Sequence, residues 1–132
     1  DRLLASASIE QYLYEGLVSA RTLTDYLFDR MEAHDLRRAD VVRASGLNAT
    51  VVYDIFSGKS RPGRDHAIML AFGLKCTLRE TQRLLRLAGV SELWCKQRRD
   101  AIIIWCIRNG FDRIATDDEL YRMGEATLLP AD

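Results

Sequence analysis

The chain has little cysteine, proline or histidine: its 132 residues include three cysteines, two prolines and two histidines. No C-x-x-C spacing occurs and the cysteine count is odd, which argues against a disulfide framework or a zinc site and favours a reducing compartment. The longest apolar run, residues 101–107, is far too short to span a bilayer. No signal-peptide pattern is visible. We therefore expect a cytoplasmic protein with no membrane partner.

Patterns that carry catalysis are also missing. The sequence contains no nucleophile motif, no phosphate-binding loop, no H-E-x-x-H and no evident carboxylate pair with a base. His34 and His66 are isolated, which is typical of surface or first-turn histidines. We predict that the protein is not an enzyme, and that it has no catalytic residue, no metal site and no cofactor.

Strand patterns are absent too, because no alternating run with hairpin turn chemistry appears. Helix signals are nearly continuous. Helix starts are indicated by capping boxes at residues 8–11, 77–80 and 116–119, and by Thr22 or Thr24. Glycines mark most of the helix ends. We predict an all-α fold, a compact bundle of seven to eight short helices.

Charge is unevenly distributed although the net charge is zero. Residues 1–35 hold three basic and seven acidic side chains, residues 36–98 hold twelve and five, and residues 99–132 hold four and seven. The basic middle segment indicates a polyanion partner. On charge alone, a solvated basic face explains it equally well.

A faint internal repeat is present at a constant offset of 35 residues. Two interpretations stay open at this stage: a repeated helix pair, or cap chemistry that two unrelated segments share. Five identities define the offset, and in order they are Arg64 with Arg99, Asp65 with Asp100, Leu85 with Leu120, Gly89 with Gly124, and Leu93 with Leu128.

The segment 45–62, S-G-L-N-A-T-V-V-Y-D-I-F-S-G-K-S-R-P, carries conflicting signals. Its centre is β-branched and aromatic, which favours a strand, whereas Asn48 and Gly58 suit the two ends of a helix. As a helix it places Val52, Ile55 and Phe56 on one side. Burying Ile or Phe contributes about 1.5–3 kcal/mol each, more than the few tenths that β-branching costs. We predict a helix.

The surrounding spacing is typical of a helix-turn-helix. A short helix from Arg38 to Ser45 ends at Gly46, and a three-residue turn leads into a second helix, residues 49–57. The polar side of this second helix is expected to face a DNA major groove. Lys59 and Arg61 follow it, where a loop would meet phosphates.

Residues 39–90 resemble the Cro/phage-repressor (XRE-type) helix-turn-helix domain. The resemblance rests on Gly46, Leu47, the Val52/Ile55 pair, the run S-G-K-S-R-P and the apolar helix that ends in L-K-C-T. Together with R-R-D-A-I-I-I and E-L-Y-R-M-G-E-A-T-L, the chain resembles bacterial regulators that carry a C-terminal helical extension. The resemblance implies an N-terminal helix in residues 1–21, a helix-turn-helix domain in residues 22–90, and a helical extension, residues 91–132, packed on it.

The resemblance also implies residue roles. Two positions depart from the family pattern: Val42 fills a slot that prefers a small side chain, and Asp54 stands where bidentate base readers usually lie. Aspartate accepts from cytosine N4 but repels phosphate. The base-facing residues are Arg38, Ala49, Thr50, Tyr53 and Asp54. The phosphate contacts are Arg43, Asn48, Ser57, Lys59, Arg61 and Arg64.

These features predict a sequence-selective DNA-binding transcriptional regulator of the repressor type, whose partner is double-stranded DNA. Residues 91–132 are expected to brace the DNA-binding domain or to form a homodimer through the C-terminal helices. Trp94 and Trp105 are expected in the core or at that subunit interface. The alternative is a non-catalytic protein–protein adaptor that reuses the scaffold, motivated by Asp54, the apolar residues 101–107 and the neutral isoelectric point.

Overall fold

The computed structural model of the chain describes residues 8–130, with the backbone alone described over residues 15–21. All the regular secondary structure in this part of the chain is α-helix, which confirms the predicted fold class. None of its helices is long and apolar enough to cross a membrane. Its helices are α1 (Ser8–Ala33), α2 (Arg38–Ser45), α3 (Ala49–Phe56), α4 (Arg64–Gly73), α5 (Leu78–Leu87), α6 (Arg98–Arg108) and α7 (Arg113–Arg122).

Helix α1 is continuous where the sequence indicated a break. The predicted start of a second helix at Thr22 or Thr24 is wrong, because α1 runs through both positions. Threonine costs only a few tenths of a kcal/mol inside a helix, so it permits a cap without imposing one. Leu23 and Leu27, which are buried, anchor this half of the helix in the core. Residues 1–7 of the predicted N-terminal segment lie outside the described residues.

The ambiguous segment is helical, as predicted. Helix α2 ends at Gly46, which has a φ of 83°, and α3 runs from Ala49 to Phe56, one residue shorter than predicted. The Asn48 side chain caps α3 by accepting a hydrogen bond from the Val51 N–H at 2.9 Å. Gly58 follows with a φ of 81°, the left-handed conformation that glycine adopts without strain after a helix.

Helix α4 forms the centre of the molecule, since residues 67–74 are all buried. It approaches α2 closely at Gly73, where a methyl group would lie 2.9 Å from both the Ser45 Cβ and the Val41 carbonyl oxygen. The small residue at this crossing is therefore on α4. This explains why α2 accommodates Val42, which is only half-buried.

The last helix begins earlier than predicted. A start at Thr116 is wrong, because α7 begins at Arg113 and its cap is Asp112, whose side chain accepts from the Ala115 N–H at 2.8 Å. Thr116 and Asp117 consequently lie in the second turn and are buried. A core position for Trp94 and Trp105 is also wrong, since both side chains are exposed.

The offset of 35 residues relates two helix pairs. Shifted by 35, α4 falls on residues 99–108 and α5 falls on residues 113–122, so the pair α4–α5 matches the pair α6–α7. The identical residues have identical roles. Leu85 and Leu120 are fully buried, and Gly89 and Gly124 have φ values of 78° and 79°.

Cross-contacts between the two pairs follow a two-fold pattern. Arg64 of the first pair binds Asp100 of the second, and Arg99 of the second pair binds Asp65 of the first. Likewise α4 contacts α7 while α5 contacts α6. Shared cap chemistry would not produce these reciprocal long-range contacts, so the repeated helix pair is the better interpretation.

Candidate functional site

The turn between α2 and α3 is fixed from inside the molecule. The Ser45 hydroxyl donates to the Val42 carbonyl and accepts from the Leu47 N–H, both at 3.2 Å. Leu47 is buried in the core, as expected for a residue that fills the space between two helices. The turn therefore holds α3 at a set angle to α2.

Helix α3 has one buried and one solvent-facing side. Val52, Ile55 and Phe56 are buried, and Phe56 meets the Phe28 ring edge-on at 5.1 Å between ring centroids. The opposite side presents the residues predicted to face bases. Ala49, Thr50 and Tyr53 are exposed and Asp54 is half-buried. No described helix covers this side, so it remains free to meet a large partner.

Arg38 and Tyr53 come together on this side of the molecule. The Arg38 guanidinium lies 5.1 Å from the centroid of the Tyr53 ring, a cation–π contact between α2 and α3. At an exposed site such a contact stabilises by about 0.5–1 kcal/mol. The contact orients an arginine over the solvent-facing side of α3, where Tyr53 is 44% exposed.

The loop after α3 folds back onto the end of that helix. The Asp54 carbonyl oxygen accepts from the Lys59 N–H at 2.9 Å and from the Ser57 hydroxyl at 3.1 Å. Ser57 and Lys59 are exposed. The hydrogen bond to Asp54 fixes the backbone of Lys59 at the end of α3 and leaves its side chain exposed.

The charge of Arg43 is compensated locally. Its guanidinium pairs with Asp40 on the same helix. Asp40 also accepts from the Arg37 N–H at 2.9 Å and so caps the start of α2. This backbone hydrogen bond, followed by the contact with Arg43, lowers the pKa of the Asp40 carboxyl. Arg43 stays exposed and could bind phosphate only by sharing or leaving this partner.

Two of the arginines predicted to bind phosphate serve the fold. Arg61 donates through Nε to the Ala88 carbonyl and through Nη2 to the Leu87 carbonyl, both at 3.2 Å, so it caps the end of α5. Arg64 binds both Asp100 carboxylate oxygens, at 3.0 and 2.7 Å, and the carbonyl oxygens of residues 91 and 92. Arg64 is thus part of the internal contact between the helix pairs, and we leave it out of the candidate interface.

The C-terminal extension supports the turn directly. A methyl group on Gly46 would lie 2.6 Å from the Arg113 Nε and 3.1 Å from the Leu129 Cδ1. Arg113 is held by Asp117 at 2.7 Å, and Asp117 also accepts from the Leu128 N–H at 2.6 Å. Sequence reasoning missed this contact, since no motif links residue 113 to residue 46.

Metal and thiol chemistry have little support in the part of the chain that the structure describes. Residues 8–130 contain no group of three or more His, Cys, Asp or Glu side chains that could hold a metal ion. Cys106 is buried, Cys76 is half-buried and Cys95 is exposed. Burial raises the pKa of the Cys76 thiol to about 12. Cys95 is therefore the accessible thiol of the three.

Comparison of the chain with protein-family models, with curated proteins and with solved structures found no match. The resemblance to the Cro/phage-repressor domain therefore stays a prediction, and the functional proposal rests on the geometry of α2 and α3.

Proposed function

We propose that the protein is a sequence-selective DNA-binding transcriptional regulator that places α3 in the major groove of double-stranded DNA. The observation that carries the proposal is the division of α3 into a buried apolar side and an uncovered side, with Arg38 held over Tyr53. A short helix fixed by a tight turn, with one side free, is what major-groove reading requires.

The position of each residue on α2, α3 and the following loop indicates which part of the DNA it would contact. Thr50, Tyr53 and Arg38 supply hydroxyl, aromatic and guanidinium groups for base edges, and Asp54 is suited to cytosine N4. Lys59 and the start of α3 at Asn48 would contact phosphates, since a cation and a helix N-terminus both favour anions. Each phosphate neutralised in this way adds a counterion-release term to the affinity.

Selection of binding sites from random double-stranded DNA at moderate salt tests the proposal. We expect enrichment of a defined sequence, and an affinity for it that falls steeply as salt rises. The affinity can be followed by fluorescence anisotropy of a labelled duplex over a salt series. Absence of retention at low salt, or retention that is insensitive to salt, would overturn the proposal.

Two variants separate base reading from phosphate contact. Tyr53→Ala should weaken binding to the selected site more than binding to unrelated DNA. Lys59→Ala should weaken both about equally and reduce the salt slope by about 1. Lys96→Ala is the matched control, since Lys96 is an exposed lysine on the segment before α6. Equal effects of Lys59→Ala and Lys96→Ala would indicate non-specific attraction without a defined interface.

A protein–protein adaptor is the second candidate, and two observations favour it. Arg61 and Arg64 are engaged inside the fold, which leaves fewer cations for DNA. Asp54 adds a negative charge to the side of α3 that would meet phosphates. The DNA selection distinguishes the candidates, because an adaptor should yield no enriched sequence.

A further inference from the structure

The second helix pair has an open groove between α6 and α7, with a cavity volume of about 310 Å³. We call it the C-terminal groove. Its rim is charged and its floor is apolar, and Trp105 is 54% exposed there. The apolar lining consists of Ala101, Ile102, Trp105 and Met123. The charged rim consists of Arg98, Glu119 and Arg122.

The equivalent surface of the first helix pair is mostly filled. Subtracting 35 from the seven lining positions gives four buried residues, Ala67, Leu70, Leu84 and Ala88, together with the half-buried His66 and Leu87 and the exposed Gly63. The repeat therefore provides one largely filled groove and one open groove of the same architecture.

Helix α1 packs on the first helix pair through its contact with α5. Its residues Leu23 and Leu27 are buried and belong to the hydrophobic core, as do Leu70 and Leu84. Its polar edge meets α5 as well, where the Tyr26 hydroxyl donates to the Glu80 carbonyl at 3.4 Å. An amphipathic helix with a leucine stripe is thus the kind of element that this architecture accepts.

Helix α1 carries a second apolar stripe near its start, and its side chains are exposed in the part of the chain that the structure describes. Ile9, Tyr12 and Leu13 are all exposed, at 74%, 76% and 60%. Ile9 and Leu27 are eighteen residues apart, which is five turns of 3.6 residues, so they share one side of α1. We call Ile9, Tyr12 and Leu13 the N-terminal stripe, and it continues the side of α1 that carries the buried Leu23 and Leu27.

We propose that the protein forms a symmetric dimer in which the N-terminal stripe of each copy lies in the C-terminal groove of the other. The part of the chain that the structure describes presents this exposed stripe and this open groove, and a two-fold axis would pair each with its complement and close the assembly. Arg98 and Arg122 of the groove are held in intrachain ion pairs with Glu125 and Glu119, at 2.6 and 2.7 Å, so we expect the contact with the stripe to be mainly apolar. This proposal does not rest on DNA binding.

The stripe does not reach the groove of its own chain. Helix α1 is continuous, and residues of its second half contact α3 and α5 of its own chain, as Phe28 does with Phe56 and Tyr26 with Glu80. Leu13 precedes Leu27 by fourteen residues, so it lies about 21 Å further along the rod at 1.5 Å per residue. No residue of α1 lines the C-terminal groove, so in the described part of the chain the stripe and the groove are separate surfaces.

Sedimentation velocity of the full chain over a concentration series tests the dimer. Leu13→Asp should raise the dimer Kd by about 30-fold or more, as for a central apolar anchor. Tyr14→Asp is the matched control, since Tyr14 is 62% exposed but lies off the stripe, and it should leave the Kd unchanged. Trp105→Asp in the groove is matched in the same way by Ile114→Asp, at an exposed position of α7 outside the groove.

Mixing two monomeric variants gives the sharpest readout. Leu13→Asp keeps an intact groove and Trp105→Asp keeps an intact stripe, so a mixed dimer retains one of its two contacts. We expect the mixture to associate one-to-one at concentrations where each variant alone is monomeric. If Trp105→Asp fails to fold by circular dichroism, Met123→Asp replaces it on the same groove.

Three results would overturn the proposal. The first is a wild-type chain that stays monomeric at about 100 μM, far above the Kd of ordinary specific dimers. The second is a dimer that survives both Leu13→Asp and the groove variant, which would place the interface elsewhere. The third is a variant mixture that remains monomeric, which would mean that stripe and groove do not meet and that another partner covers each.

Discussion

Asp100 and Asp65 occupy equivalent positions in the two helix pairs and offer a matched pair of substitutions. The Asp100 side chain is 6% exposed, and it accepts two hydrogen bonds from Arg64 and a third from the Trp94 N–H at 3.0 Å. Removing one partner of a buried ion pair costs about 3–5 kcal/mol. Because Arg64 is 27% exposed and water recovers part of that cost, we expect Asp100→Asn to lower the free energy of unfolding by about 2–3 kcal/mol.

Asp65→Asn should cost much less. Asp65 is 41% exposed, and its partner Arg99 keeps hydrogen bonds to the carbonyl oxygens of residues 126 and 127. Exposed ion pairs contribute about 0–1 kcal/mol. Urea unfolding followed by circular dichroism measures both changes, provided that the m-values agree. Equal losses for the two variants would refute the argument, since the pairs differ mainly in burial.

The pH dependence of the Asp100 contribution has a definite sign. Burial alone would raise the pKa of the Asp100 carboxyl, but the hydrogen bonds from Arg64 and the Trp94 N–H, with the nearby Arg99, lower it below its usual value. A carboxyl with a lowered folded-state pKa stabilises the fold above its unfolded pKa of about 3.9 and loses that contribution as pH falls through the folded value. The stability gap between wild type and Asp100→Asn should therefore be full at pH 6 and shrink below about pH 4. A gap that is constant down to pH 3 would contradict this.

Two further predictions concern the turn and the thiols. Gly46→Ala should destabilise the fold by clearly more than the roughly 1–2 kcal/mol that an alanine in the left-handed conformation costs, because its methyl group would lie 2.6 Å from Arg113 Nε. Gly124→Ala is the control: Gly124 has a φ of 79° and open space around it, so this variant should cost only the roughly 1–2 kcal/mol of the backbone conformation. Equal shifts in the melting temperatures of the two variants would rule out the contact with Arg113. In the folded protein at pH 8, a thiol reagent should modify Cys95 within minutes and spare Cys76, whose pKa is raised to about 12, and peptide mapping that finds Cys76 modified first would contradict its burial.

Local chemistry was sufficient to predict α2 and α3. The glycine at residue 46, the Asn48 cap and the spacing of the apolar residues act within one or two helical turns, so they can be read directly from the sequence. The same local reasoning failed at α7. The run T-D-D-E at residues 116–119 fits a capping box as well as Asp112 fits the N-cap position where the helix actually begins. The internal repeat contained the missing signal, since Thr77, which caps α5, falls on Asp112 at an offset of 35.

The roles of the arginines could not be predicted in this way. Arg61 and Arg64 stand in a basic run beside α3, where the sequence indicates phosphate contacts. In the fold they bind residues 87, 88, 91, 92 and 100, which are about 26–36 positions away along the chain. Such partners become visible only when the two helix pairs are placed in three dimensions. Charge patterning therefore gave no sign that Arg61 and Arg64 have partners inside the fold, and their contacts with phosphate stay a prediction.

The two helix pairs have kept one architecture and acquired different surfaces. Where the first pair has the buried Ala67 and Leu70, the second has the larger Ile102, which is half-buried, and Trp105, which is exposed. A surface that only met water would gain solubility from polar residues at these positions, so larger apolar side chains indicate a partner. The DNA proposal concerns the exposed side of α3, and the dimer proposal concerns the N-terminal stripe and the C-terminal groove. The two can therefore be tested separately. If both hold, Leu13→Asp should weaken binding to a palindrome with half-sites about 34 Å apart but leave binding to a single half-site unchanged. Loss of half-site binding in that variant would mean that the exposed start of α1 acts on the DNA interface directly.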